Sequence, residues 1–207
     1  MTWKPNTSKP RKRHKIYLYL LRGLRVDRPG QVWCADITLA SSLEPVAFAC
    51  SAADAARLPV SRRHQDWFTR KVLAWRISNT LEADFCIEAL NEAILRFGAP
   101  GIMNTDQGSQ FTSFAWTDRL KRVGTRISMD GKGCCIDNVF IDRLWRSLKY
   151  ECVYLRAWET GSQAKAAIGS WITFYNHRRP HTAHGGQPPA VVCFNSIETD
   201  QQAQAVA

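Results

Sequence analysis

Gln31-Val32-Trp33-Cys34-Ala35-Asp36-Ile37-Thr38 is β-rich and carries a single acid near its end. That is the pattern of a central strand covered on both faces, which brings Asp36 to a crevice at its carboxyl end. Downstream, Lys71-Val72-Leu73-Ala74-Trp75-Arg76-Ile77 reads as a second strand. Asn79 and Glu82 have capping-box spacing, and Phe85, Ala89, Leu90, Ala93, Ile94 and Phe97 form a helical stripe that Gly98 and Pro100 close.

Ile102-Met103-Asn104 is expected to be a short strand that presents Asp106 at its carboxyl end, where open α/β sheets keep their ligand sites. Ser113 to Val123 reads as a helix ended by Gly124, and Thr125 to Met129 as a strand. A flexible loop, Gly131-Lys132-Gly133, leads to a helix capped by Asp137 or Asn138 and running to about Trp158. A further helix from Ser162 to His177 buries Ala164, Ile168, Trp171, Ile172 and Tyr175 and stops at Arg178-Arg179-Pro180-His181. The sum is an α/β fold, a mixed sheet of ribonuclease-H type flanked by helices, over residues 16–193. A basic flexible arm at 1–15 precedes it, and a polar tail at 194–207 follows.

Residues 39–65 interrupt this order where the sheet needs its next strand. They hold seven alanines, two prolines and no sustained alternation. Two accounts stand: an out-of-frame patch bounded by an insertion and a compensating deletion, or an inserted loop at a sheet edge. Reading the nucleotide sequence in its other two frames across these codons separates them.

Charge points to a polyanion. The net charge is +10, and residues 1–30 hold nine Lys/Arg against one acid, so most of the excess is an arm that finds phosphate without sequence preference. No apolar run is long enough to span a membrane, the first residues are not a signal peptide, and the chain is expected in the bacterial cytoplasm near the nucleoid. Seven scattered cysteines with no CxxC pair read as reduced thiols rather than a zinc site. No serine or cysteine sits in a nucleophile elbow, and nothing suggests a small-molecule substrate.

Asp36, Asp106 and Asp142 form a candidate acidic triad, with thirty-five residues between the second and the third. Three such carboxylates can hold two divalent cations about 3.5–4 Å apart, which activate water and stabilise the leaving oxygen in phosphodiester cleavage or strand transfer. Asp106 opens Asp106-Gln107-Gly108-Ser109-Gln110, where glycine and small polar side chains let a phosphate backbone approach. The alternative for Asp106 is a plain Asx turn. Asp142 shares a helix stripe with Arg146 and Lys149, and the alternative there is an ordinary surface ion pair with Arg146. His177 and His181 bracket two arginines, which favours phosphate or base contact over metal binding.

Four ordered strings carry a resemblance: Val32 to Thr38, Asn104 to Ser113, Asp137-Asn138-Val139-Phe140-Ile141 through Leu144 to Glu151, and Phe174-Tyr175-Asn176-His177-Arg178-Arg179-Pro180-His181. Over roughly residues 15–38 and 66–193 the chain resembles the integrase catalytic core of DDE transposases from bacterial insertion-sequence family three, in the retroviral-integrase-like superfamily. The resemblance implies a ribonuclease-H-like fold, Mg²⁺- or Mn²⁺-dependent cutting and joining of DNA at transposon ends, and work as a homo-oligomer on DNA.

Residue by residue, it makes Asp36 and Asp106 the first two catalytic acids and metal ligands. Asp142 takes the place of the glutamate, and Lys149 matches the basic residue seven positions beyond it. Tyr175, Asn176, Arg178, Arg179 and His181 match the C-terminal motif. Contacts to DNA are expected from Gln107, Ser109, Gln110, Arg146, Lys149, Asn176, Arg178, Arg179 and His181. Two departures stand out: the third acid is Asp rather than Glu, and residues 39–65 replace a shorter β-rich stretch. The helix-turn-helix that relatives carry upstream has no counterpart in the sequence. The rival reading is a degenerate remnant that binds DNA or oligomerises without cutting. A cellular ribonuclease-H-like nuclease fits less well, because of the Tyr175–His181 motif.

Overall fold

Five strands form one mixed sheet in the order β3-β2-β1-β4-β5. They are β1 (Val32–Thr38), β2 (Val60–Asp66), β3 (Val72–Ser78), β4 (Ile102–Thr105) and β5 (Arg126–Met129). β1, β2 and β3 pair antiparallel in sequence, whereas β4 runs parallel to β1 and β5 parallel to β4. The computed structural model describes residues 15–38, 60–78, 83–130, 139–156 and 158–196.

Strand alternation decides which side chains meet which helices, because successive residues point to opposite faces. Val32 and Cys34 on β1, with Ile102 on β4, pack against α3 (Val139–Leu148) and α4 (Gly161–His177). Trp33, Ala35 and Met103 pack on the other face against α1 (Asp84–Phe97) and α2 (Phe114–Arg122). Each fully buried Leu, Ile or Met contributes about 1.5–3 kcal/mol, which explains why the central strands read as near-continuous apolar runs. This is the ribonuclease-H-like mixed sheet expected from the sequence.

The end of the atypical stretch forms β2. Its main chain pairs along Trp33–Thr38 on one side and along β3 on the other, with an irregularity at His64/Gln65. The rest, residues 39–59, lies outside the described residues. So do the arm at 1–14, the glycine loop at 131–133, the expected caps Asp137 and Asn138, and most of the tail.

Some helix boundaries differ from expectation. α1 begins at Asp84 behind Ala83, which makes no side-chain cap, and Asn79 and Glu82 lie outside the described residues. α3 does not continue regularly to Trp158: after Leu148 it widens into a π turn, Lys149–Val153, and ends. Glu151 on that turn accepts from the Trp171 indole at 3.1 Å and pairs with Arg179, while Cys152 and Val153 are buried. These contacts tie the turn to α4 and to the segment just beyond it. α2 and α4 are capped by the side chains of Ser113 and Thr160, so α4 begins at Gly161, one residue before the expected Ser162.

Candidate active site

β1 and β4 lie side by side and parallel, in the register Cys34–Asn104 and Ala35–Thr105. One residue further along each strand come Asp36 and Asp106. Both have the parity of Cys34 and Asn104, so both belong to the face covered by α3. Neighbouring strands are about 4.8 Å apart, which makes two acids leaving adjacent parallel strands close neighbours. β5 extends the row, since Met129 pairs with Thr105 and Asp130 comes next.

α3 brings the third acid. Ile141, Leu144, Trp145 and Leu148 are buried at its underside, leaving Asp142, Arg143 and Arg146 exposed. Trp145, only 4% exposed, donates its indole N–H to Asp36 Oδ2 at 2.9 Å. The Ile37 N–H donates to Asp36 Oδ1 at 2.7 Å. Both oxygens of Asp36 are therefore oriented, one from its own strand and one from the helix that carries Asp142.

Burial is the first cause that raises the Asp36 carboxyl, to about 6, with the Ile37 N–H opposing it. The negative charges of Asp106 and Asp142 raise it further, against the Trp145 hydrogen bond. Asp106 and Asp142 therefore each lie within electrostatic reach of Asp36. Asp142 is itself raised, by partial desolvation, and it forms no ion pair with Arg146 among the described residues.

The Asp106 loop shows both features that its sequence allowed. Gly108 N–H donates to Asp106 Oδ1 at 2.9 Å, an Asx-type turn. Asp106 nevertheless remains exposed beside Asp36. A Cβ on Gly108 would stand 2.9 Å from that same oxygen, so glycine is what lets the carboxylate keep its place. Gln107 donates from Nε2 to the Asp130 carbonyl at 2.9 Å, which pins the loop to the end of β5.

As they stand, no three His, Cys, Asp or Glu side chains among the described residues close around one ion. The donor set still suits a hard divalent cation: these are carboxylate oxygens on one face, and their mutual repulsion is what a cation would relieve.

The remaining expected contacts divide. Ser109, Arg146 and Arg178 are exposed, and Gln107, Gln110, Lys149 and Arg179 are half-buried. Asn176 is 7% exposed, accepts from Val72 N–H and donates to Val72 C=O, both at 2.9 Å, and so ties α4 to β3. His181 packs edge-on to Tyr175, with ring centroids 4.9 Å apart. Desolvation, with the nearby His184, Arg179 and Arg70, lowers it to about 4 and keeps it neutral. Sequence reasoning missed Trp145 and Asp130. The signal for Trp145 was its place three residues after Asp142, one turn along the same helix.

Two sequence patterns, each described as an integrase core domain, match residues 26–135 and residues 123–189. The chain belongs to the integrase core family. Its likeness to insertion-sequence family three is carried by relatives such as the transposase InsF for insertion sequence IS3A of Escherichia coli, 30% identical over 78% of this chain and 53% of that protein. The transposase for insertion sequence element IS629 of Shigella sonnei is 28% identical over 79% of this chain and 52% of that protein. The chain spans about half the length of these curated relatives. Among solved structures, the catalytic core domain of BIV integrase aligns with a TM-score of 0.63 at 17% identity, covering 83% of this chain and 99% of that one. The HTLV-2 integrase catalytic core domain in complex with magnesium aligns at 0.55 and 18% identity, covering 81% and 99%. These two share the fold of the integrase core described above. No helix among the described residues is long and apolar enough to cross a membrane.

Proposed function

We propose that this chain is the catalytic core of a DNA transposase, cutting DNA strands and joining a 3′-hydroxyl to a target phosphodiester. The observation that carries this reading is the placement of Asp36 and Asp106 at adjacent parallel strand ends, beneath a helix that carries Asp142 and is bonded to Asp36 through Trp145. Asp36, Asp106 and Asp142 are the residues that would hold Mg²⁺ or Mn²⁺. When bound, such ions activate a water or hydroxyl nucleophile and stabilise the leaving oxygen. Ile37 N–H and the Trp145 indole hold the Asp36 carboxylate, and the Gly108 turn holds that of Asp106. Arg146, Lys149 and Arg178 would neutralise phosphates, as would the arm at 1–15. The chain would act on transposon ends and target DNA as a homo-oligomer.

The test is cleavage and strand transfer on an oligonucleotide duplex carrying the element's own ends, with Mg²⁺ and with Mn²⁺. Asp36→Asn or Asp106→Asn should abolish both reactions while leaving DNA binding within a few-fold. Activity that survives either substitution would refute the assignment. A second reading, a remnant that binds DNA without cutting it, is favoured by two features: the third acid is an aspartate, and no trio among the described residues gathers around one ion. Binding without cleavage under every metal condition would select it.

A further inference from the structure

The exposed side of α3 and its π turn carries a feature that the acidic site does not use. Arg143, Arg146, Tyr150 and Tyr154 follow one another at helical spacing along one stripe, starting beside Asp142. Tyr150 is 63% exposed and Tyr154 36%. Their rings meet edge to face, with centroids 5.2 Å apart and planes at 81°. Neither Arg143 nor Arg146 forms an ion pair among the described residues. Beneath the tyrosines the turn is firmly held, by buried Cys152 and Val153 and by Glu151 bonded to Trp171 and Arg179. π turns of this kind recur at functional sites.

We infer that this stripe is a stacking platform for unpaired bases of a DNA strand that leaves the acidic site, with Tyr150 as its main contact. The inference rests on the proposed action on DNA and adds which part of the DNA this surface takes. Open aromatic rings in line with uncompensated guanidinium groups suit a polyanion that also offers π faces, which describes a single strand. Duplex DNA hides its base faces in the stack. Tyrosine and arginine also serve protein interfaces, an outcome that the sedimentation measurement below separates. Tyr150 follows Asp142 by eight residues, about 12 Å along a helix at 1.5 Å per residue. That keeps its ring within a few nucleotides of the reacting phosphate along an unpaired strand.

The experiment uses the full chain, a blunt fluorescent duplex, and a set of duplexes with a five-nucleotide unpaired extension that carries 2-aminopurine at one position each. Wild type should bind the extended duplexes more tightly and quench the 2-aminopurine of at least one. Tyr150→Ala should weaken binding to the extended duplexes about five- to hundredfold, the worth of one base–aromatic stack, and relieve the quenching. Affinity for the blunt duplex should change less than about twofold on the same scale. Tyr150→Phe, which keeps the ring, should behave as wild type. Unchanged affinity in Tyr150→Ala, or equal losses on both duplexes, would overturn the inference alone. A changed sedimentation profile with DNA affinity intact would also overturn it and would give the stripe to a second copy of the chain. A wild-type chain that binds neither duplex would overturn this inference together with the proposed action on DNA.

Discussion

Asp142→Glu is the perturbation that tests the site most directly. α3 is docked by Ile141, Leu144, Trp145 and Leu148, and Trp145 fixes its height over β1 through Asp36. The Asp142 backbone is therefore not free to advance. An aspartate there holds its carboxylate one C–C bond, about 1.5 Å, short of where a glutamate would place it. Catalytic constellations tolerate about 0.5 Å, and a misplacement of 1 Å costs on the order of a hundredfold in rate. Asp106 and Asp142 are near enough to Asp36 to raise its carboxyl.

β2 is paired on both sides, so the sheet beneath Asp36 is in place to benefit. The native chain should thus show weak strand transfer with Mg²⁺, and Asp142→Glu should raise it about a hundredfold, or about 2.7 kcal/mol of barrier. The assay is strand transfer on labelled end-containing oligonucleotides, paired with calorimetric Mn²⁺ titration to separate metal affinity from rate. A fully active native chain that slows on Asp142→Glu would refute the reasoning. It would show that the site is built around the shorter acid.

Trp145→Phe removes the indole donor to Asp36 and keeps most of the packing, so Mn²⁺ affinity should fall about ten- to hundredfold, whereas equal titration curves for the two proteins would remove Trp145 from the site. Gly108→Ala puts a methyl against Asp106 Oδ1, so metal affinity should fall with little change in melting temperature, and unaltered metal binding would show that the loop yields freely. Asp36 is raised from 3.8 to about 6 in the folded, metal-free chain, so its contribution is fully favourable below about 3.8 and is lost as pH rises through about 6, roughly 3 kcal/mol in all. Urea unfolding in a chelator should show this slope between pH 4 and 7, and Asp36→Asn should flatten it; parallel profiles would argue against the burial of that carboxyl. Asn176→Leu leaves the Val72 N–H and C=O without their partner and should cost about 2–4 kcal/mol in denaturant titration, while a loss of DNA affinity at unchanged stability would place Asn176 on the DNA face.

Much of the fold was legible because it depends on local periodicity. The apolar run at 32–38, the helical stripe at 85–97 and the stripe of α4 each survive into the structure, since a buried strand and a one-sided helix leave different spacings in the sequence. β2 was not legible. Val60–Asp66 reads as Val-Ser-Arg-Arg-His-Gln-Asp, with no alternation to mark a strand, and its pairing comes from the two neighbours that flank it.

The sequence by itself determined that Asp36 and Asp106 stand at the carboxyl ends of two strands, because alternation and strand-end glycine patterns are local properties. It could not tell a DNA-facing amide from a packing amide at Asn176, since the difference is whether β3 offers the main-chain atoms of Val72 across the α4 interface. Nor could it show that Trp145 reaches Asp36, a contact across 109 residues that exists only once α3 lies over β1. The raised Asp36 carboxyl belongs to the same class, because burial and the nearness of Asp106 and Asp142 arise from packing distant segments together and leave no spacing in the chain to read.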